Sequence, residues 1–182
     1  MINSELKIGL FYGSTTCYTE MAAEKIQIKF HDLVGSNCVE LFNIKDCALT
    51  KTQEFDILIF GISTWDFGEL QEDWESTWQD IAELNLANKT VAIFGLGDQE
   101  DYAEYFCDAM EPLKDIAESR GAVIVGNWST EGYEFEASKA LVDEKTFIGL
   151  CIDEDRQPEL TEARIDKWVT QIFDEMCLAE FA

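Results

Sequence analysis

The run Phe55-Asp56-Ile57-Leu58-Ile59-Phe60 constrains this chain more than any other. It is too short for a helix, and its unbroken apolar centre fits a strand covered on both faces, as in a parallel sheet. Leu6-Lys7-Ile8-Gly9-Leu10-Phe11-Tyr12 reads as an earlier strand, with 38–42 the second, 90–94 the fourth and 122–125 the start of a fifth. Helical spacing separates them: Met21, Ala22, Ile26 and Phe30 after the first strand, then Trp74, Trp78 and Ile81 after the third. A helix is expected over 102–119, and Ile165, Trp168, Val169 and Ile172 mark the last one. Strands and helices in strict alternation predict parallel βαβ units with right-handed crossovers. One stretch breaks the rhythm. Residues 126–145 are polar and aromatic with no helical period, and 146–152 again reads as strand, so an insertion at about 127–147 interrupts or doubles the fifth strand. The expectation is one α/β domain over residues 1–182, without repeats, low-complexity tracts or linkers.

Composition narrows the partners. There are 37 acidic and 13 basic side chains among 182 residues, a formal charge of −24. Disorder is excluded nonetheless, because 47% of the residues are apolar, with 12 Phe, 5 Trp and 5 Tyr to build a core. Nucleic acid is excluded as a partner, since phosphate backbones are bound by clustered Lys and Arg. Anionic membrane surfaces repel such a chain, and a partner with a basic docking face is favoured. The start, Met1-Ile2-Asn3-Ser4-Glu5, has neither a basic nor an apolar leader region, and no run approaches the roughly 20 apolar residues of a membrane span. Six scattered cysteines without CxxC pairing fit reduced thiols in the cytoplasm, and one histidine leaves little for a zinc or haem site.

In an open parallel sheet ligands sit beyond the carboxyl ends of the strands. Three loops, 13–19, 63–70 and 95–102, occupy that edge. The first, Gly13-Ser14-Thr15-Thr16-Cys17-Tyr18-Thr19, runs from strand to helix. Free backbone N–H groups and the positive helix end receive an anion there. One hydroxyl would suffice for a helix cap, whereas this loop has four. It lacks the lysine of a Walker loop, which suits a monophosphate rather than a triphosphate. The second, Ser63-Thr64-Trp65-Asp66-Phe67-Gly68-Glu69-Leu70, offers two aromatics that either stack on a flat ligand or pack beneath the loop. The third, Gly95-Leu96-Gly97-Asp98-Gln99-Glu100-Asp101-Tyr102, has Glu100 where a dinucleotide fingerprint needs glycine, which disfavours NAD. Tyr102 is a second candidate stacking ring.

These three loops, in order and at this spacing, resemble flavodoxins. Ser14, Thr16 and Thr19 match the family's phosphate-loop pattern (S/T)-x-T-G-x-T, and 64–74 and 94–102 resemble its second and third flavin loops. The insertion is similar to that of long-chain bacterial flavodoxins, including the second flavodoxin of bacteria that carry two. The resemblance implies a three-layer sandwich with a five-stranded sheet in the family's order 2-1-3-4-5. It also implies non-covalent FMN and low-potential one-electron transfer without catalysis. Residues 14–19 would hold the phosphate; Trp65 and Tyr102 would cover the two flavin faces, with Ser63 and Thr64 leading into that loop. Asp66 C=O and Phe67 N–H, beside Gly68, would face flavin N5. Leu96, Gly97 and Asp98 would border the pyrimidine edge, and Asp153 would approach the ribityl chain. Two departures stand out: Cys17 replaces the usual glycine, and Leu96 replaces a threonine that some members place near the phosphate.

Between residues 52 and 113 fifteen acidic residues face a single basic one, Lys89. A charge ~12 Å away in water contributes about 0.3 kcal/mol. Ten of them would oppose a second electron by roughly 3 kcal/mol, on the order of 100 mV before screening by salt. The same carboxylates also solvate the surface. The implied partners are a basic-faced reductase of the ferredoxin/flavodoxin NADP type and low-potential acceptor enzymes, met by a monomer. An FMN-dependent NAD(P)H reductase of quinones or nitro compounds is the alternative, although rings on both flavin faces would block hydride delivery. A receiver-type phosphoacceptor fails, because Gly61-Ile62-Ser63 stands where an aspartate is needed. A calcium loop at 153–164 fails on Pro158 and Arg164, where glycine and glutamate are required. His31 reads as a helix-end or surface residue, and Trp74 and Trp78 as packing.

Overall fold

A computed structural model describes residues 6–35 and 37–179, with side chains as far as residue 176. The leader expectation for residues 1–5 and the thiol of Cys177 fall outside these described residues. The chain runs β1 (Ile8–Tyr12), α1 (Tyr18–Val34), β2 (Val39–Asn43), β3 (Ile57–Trp65), β4 (Glu69–Leu70), α2 (Glu72–Ser76), α3 (Trp78–Glu83) and β5 (Thr90–Leu96). It continues through α4 (Met110–Ser119), β6 (Val123–Val125), β7 (Trp128–Ser129), β8 (Leu141–Asp143), β9 (Thr146–Phe147), β10 (Leu150–Ile152) and α5 (Pro158–Ala179).

Side chains alternate across the central sheet. Leu58, Phe60 and Ile62 of β3, with Val91 and Ile93 of β5, pack toward Trp74, Ile81 and Leu113 on one face. Ile57, Ile59, Ala92 and Phe94 pack toward Ile26, Phe30 and Trp168 of α1 and α5 on the other. The result is the expected three-layer α/β sandwich. The parallel order is β2-β1-β3-β5-β10, and β6 also pairs with β5. Because β4 is only the return arm of a hairpin, this is the expected order 2-1-3-4-5.

The fifth position is shared. β6 pairs with Thr90 to Ala92 and β10 with Phe94 to Leu96, one after the other along the edge that β3 leaves free. Between them β7, β9 and β8 form a three-stranded antiparallel sheet, so the insertion has a fold of its own. The strand expected over 146–152 breaks at Gly149, whose Cα runs so close to Ile93 that a Cβ there would collide with the Ile93 carbonyl oxygen.

Other boundaries differ from the periodicity. Residues 63–65 belong to β3, which turns at 66–68 and returns as β4, so the second loop is mostly a hairpin. The helix expected around Trp74 and Trp78 divides at Thr77, whose hydroxyl donates to Asp73 O at 2.8 Å and competes with the helix ladder. The helix expected from 102 begins only at Met110, because Cys107 holds φ 56 and Phe106 leaves the helical path to stack on Phe135 of the insertion, centroids 5.5 Å apart. Trp74 is fully buried and its Nε1 donates to Gly61 O at 2.8 Å, with Trp78 packed against the same core. His31 Nε2 accepts the Val39 N–H at 3.3 Å, joining the last turn of α1 to β2.

Candidate functional site

The carboxyl ends of β1, β3, β5 and β10 bring the three loops together around a cleft of about 280 Å³. Its walls include Thr16, Tyr18 and Thr19 from the first loop, and Ser63, Thr64, Trp65 and Asp66 from the second. Leu96, Gly97, Asp98 and Tyr102 come from the third. Eleven of the seventeen expected site residues therefore line one cavity.

The first loop supplies unpaired donors. No backbone N–H from residue 14 to 20 has an acceptor among the described residues; pairing resumes with Met21 N–H on Cys17 O at 2.9 Å. Ser14 Oγ is buried without a partner. A buried hydroxyl left unsatisfied is costly, and a run of free N–H groups at a helix start attracts an anion. Cys17 holds this path at φ 69, ψ −9, the left-handed conformation that glycine adopts freely. The cysteine thus preserves the glycine's backbone at the cost of strain. Ser14, Thr15 and Cys17 do not line the cavity, and Thr15 and Cys17 are exposed. Thr15 Oγ1 accepts from Gln71 Nε2 at 3.2 Å, and Gln71 Oε1 in turn caps α2 by accepting from Asp73 N (3.2 Å) and Trp74 N (3.4 Å).

The second loop separates its two aromatics. Trp65 faces the cavity, its Nε1 donating to Ser63 Oγ at 3.0 Å. Phe67 turns away: it is 73% exposed, and its ring meets Tyr105 edge-on at 5.7 Å. The turn carries positive φ at Asp66 (44°) and Gly68 (90°), which lets three residues close the hairpin.

The third loop is tied to the segment after β10. Asp98 Oδ1 accepts the N–H groups of Glu100 and Asp101 at 2.8 and 3.0 Å, and both carboxyl oxygens receive Arg156, at 3.1 and 3.2 Å. Burial raises the Asp98 carboxyl, but the Arg156 guanidinium and those N–H groups outweigh it and hold it below the usual value. Arg156 also reaches Glu100 and Asp101, and its own pKa rises, chiefly through the Asp98 hydrogen bond.

Asp153 is fully buried and absent from the cavity wall. Its Oδ2 accepts Gln99 N and Nε2 at 3.0 and 2.8 Å, and its Oδ1 accepts the N–H groups of Asp155 and Arg156 at 3.1 and 2.9 Å. An aspartate saturated by four donors is a structural knot. The residues that follow it, Glu154 and Asp155, line the cleft instead, as does Tyr105. Burial raises the Asp155 carboxyl, and Asp98 and Asp153 add to the rise. The signal for Tyr105 was its place three residues after Tyr102; that for Gln71 was its position just before the acidic first turn of α2.

Lys89, the only basic residue between 52 and 113, is buried with its Nζ on Phe55 O at 2.5 Å, just before the amino end of β5 and so at the opposite edge of the sheet from the loops. Among the described residues no group of three or more His, Cys, Asp or Glu could hold a metal ion, and no helix is long and apolar enough to cross a membrane.

Comparisons with known proteins place the chain in a family. The profile of the flavodoxin family matches residues 10–168. The chain is 54% identical over 175 residues to a flavodoxin of Haemophilus influenzae, covering 96% of this chain and 98% of that one. It is 49% identical over 172 residues to flavodoxin 2 of Escherichia coli, covering 94% and 97%. It is equally identical to that organism's flavodoxin 1, over 94% and 96%, so identity does not distinguish the two types. Among solved structures, a Fusobacterium nucleatum flavodoxin bound to flavin mononucleotide superposes with a TM-score of 0.86 at 32% identity, covering 93% of this chain and 98% of that one. Sequence, fold and cleft converge: the chain belongs to the flavodoxin family.

Proposed function

We propose that this protein is an electron carrier, not an enzyme, that binds one FMN non-covalently in the cleft between the three loops. The observation that carries the reading is the pairing of two features in one cavity. The loop of unpaired N–H groups lines one side through Thr16, Tyr18 and Thr19, and the rings of Trp65 and Tyr102 line the same walls. That donor set fits a phosphate monoester joined to a flat ring. Thr16, Tyr18 and Thr19, with the backbone of residues 14–19, hold the phosphate; Trp65 and Tyr102 cover the ring faces. Asp66 C=O and Phe67 N–H meet the ring edge at N5, and the backbone of Gly97 and Asp98 meets the pyrimidine edge. Glu154 and Asp155, rather than Asp153, border the ribityl chain. The flavin supplies one-electron chemistry; the protein orients it and sets its potential. The carboxylates around the loops oppose added negative charge and so lower the potential of the second electron. The chain works as a monomer in the cytoplasm. Its partners are a basic-faced ferredoxin/flavodoxin NADP-type reductase and low-potential acceptor enzymes, met in brief encounters that weaken with salt.

The test is a visible spectrum of the purified protein followed by anaerobic reduction. Flavin bands that disappear in two well-separated one-electron steps support the carrier. A colourless protein that takes up no FMN overturns it. Bleaching by NADPH in one two-electron step assigns the protein to the reductases instead.

A further inference from the structure

The insertion meets the loops around the cleft at several points: Glu134 N–H donates to Gln99 Oε1 of the third loop at 2.6 Å, and Glu136 and Ala137 N–H both donate to Ala103 O. The segment between Tyr102 and α4 is wedged between the second and third loops, and the insertion braces it from behind: Phe106 N–H donates to Ala137 O at 3.3 Å, and Ser138 Oγ donates to Phe106 O. At the end of the wedge lies Asp108, only 2% exposed. Its Oδ1 accepts the Lys139 N–H at 2.8 Å, a bond from the insertion. Its Oδ2 makes no hydrogen bond among the described residues, and it faces the 66–68 turn. A Cβ at Gly68 would begin 3.0 Å from Oδ2 and 3.3 Å from Asp108 Cβ. Gly68 holds φ +90, so a side chain there would be strained in its backbone and crowded by the carboxyl. The next residue, Ala109, donates its N–H to Thr64 Oγ1 at 3.0 Å, just before the turn. Thr64, Trp65 and Asp66 are cleft wall. Burial pushes the Asp108 carboxyl up, against the Lys139 N–H and ammonium, which lower it.

We propose that the insertion acts on the cofactor cleft through Asp108, a positioning residue anchored by Oδ1 on the Lys139 N–H and setting the place of the 66–68 turn by Oδ2. The long loop is then a brace for the wall that carries Trp65 and Asp66. With Oδ1 held by the Lys139 N–H, the carboxyl limits by contact, not by a hydrogen bond, how closely the turn at Gly68 can approach.

The inference rests on the FMN reading, and one experiment separates the two. Wild type, Asp108→Asn and Asp108→Ala are compared by FMN titration of the apoprotein, by the two one-electron potentials, and by the amide NMR positions of Phe67 and Gly68 without FMN. Asparagine keeps an acceptor for the Lys139 N–H and removes the carboxylate; alanine removes both. The expected result is about tenfold weaker FMN binding in D108A. The Phe67 and Gly68 amides should move in both variants, and the first potential should rise in D108N. Variants that bind FMN as tightly as wild type, with unmoved amides and potentials and only a lower melting temperature, overturn the proposal. If D108A fails to fold, D108N decides it. Wild type that takes up no FMN overturns the functional reading, and the apoprotein amides still judge Asp108.

Discussion

Cys17 sits in a conformation that costs a non-glycine residue about 1–3 kcal/mol, at the start of a helix with no side-chain cap. Glycine would remove that strain but lose about 0.5–1 kcal/mol through the freedom of the unfolded chain. Cys17→Gly should therefore stabilise the apoprotein by about 0.5–1 kcal/mol net, read from the urea midpoint, whereas Cys17→Ala should leave it near wild type. Gln71 presents the opposite case. It is fully buried and joins the first loop to the cap of α2. Gln71→Leu leaves the Asp73 and Trp74 N–H groups without their acceptor and should destabilise by about 2 kcal/mol. It should also weaken FMN binding, because Thr15 loses its tether. Unchanged stability would mean that water takes over the cap.

The third loop is held from a distant element, and pH tests that tie. Asp98 is pulled below its ordinary pKa by Arg156 and two N–H groups, against its burial. A carboxyl with a lowered folded pKa stabilises fully above its unfolded value and loses that stabilisation as pH falls through the folded one. The stability gap between wild type and Arg156→Gln should thus be constant near pH 6 and shrink below about pH 4. Urea midpoints at several pH values measure it, and a gap independent of pH would assign Arg156 to packing alone. The hairpin of β3 and β4 and the late start of α4 belong to this scale too. The late start of α4 follows Phe106 as it stacks on Phe135 of the insertion, a residue far away in the chain, which helical periodicity does not register.

A charge of −24 on 182 residues repels itself across the whole surface. Raising salt from about 10 to 300 mM, where screening falls from roughly 30 Å to under 10 Å, should raise the melting temperature of the apoprotein. A flat response would place the carboxylates too far apart to matter. Closer to the cleft, Glu154→Gln with Asp155→Asn removes two wall carboxylates and should raise the second one-electron potential more than Asp80→Asn with Glu83→Gln, both outside the cleft. Equal shifts would argue for net charge over local field.

The order of strands and helices, the three-layer fold and the three loops were legible in the sequence because burial imposes a period on every segment it covers. The first loop was legible as a strand-to-helix turn rich in hydroxyls, and Thr16, Tyr18 and Thr19 of it do line the cleft. Tertiary structure decided the rest. It directed Trp65 into the cleft and Phe67 out of it, made Asp153 a knot with Glu154 and Asp155 as the wall, and set Cys17 in a glycine's conformation. It also folded residues 128–147 into a sheet that reaches the cleft wall through Asp108. Each of these depends on which distant donor or ring meets a side chain, and local sequence carries no record of that meeting.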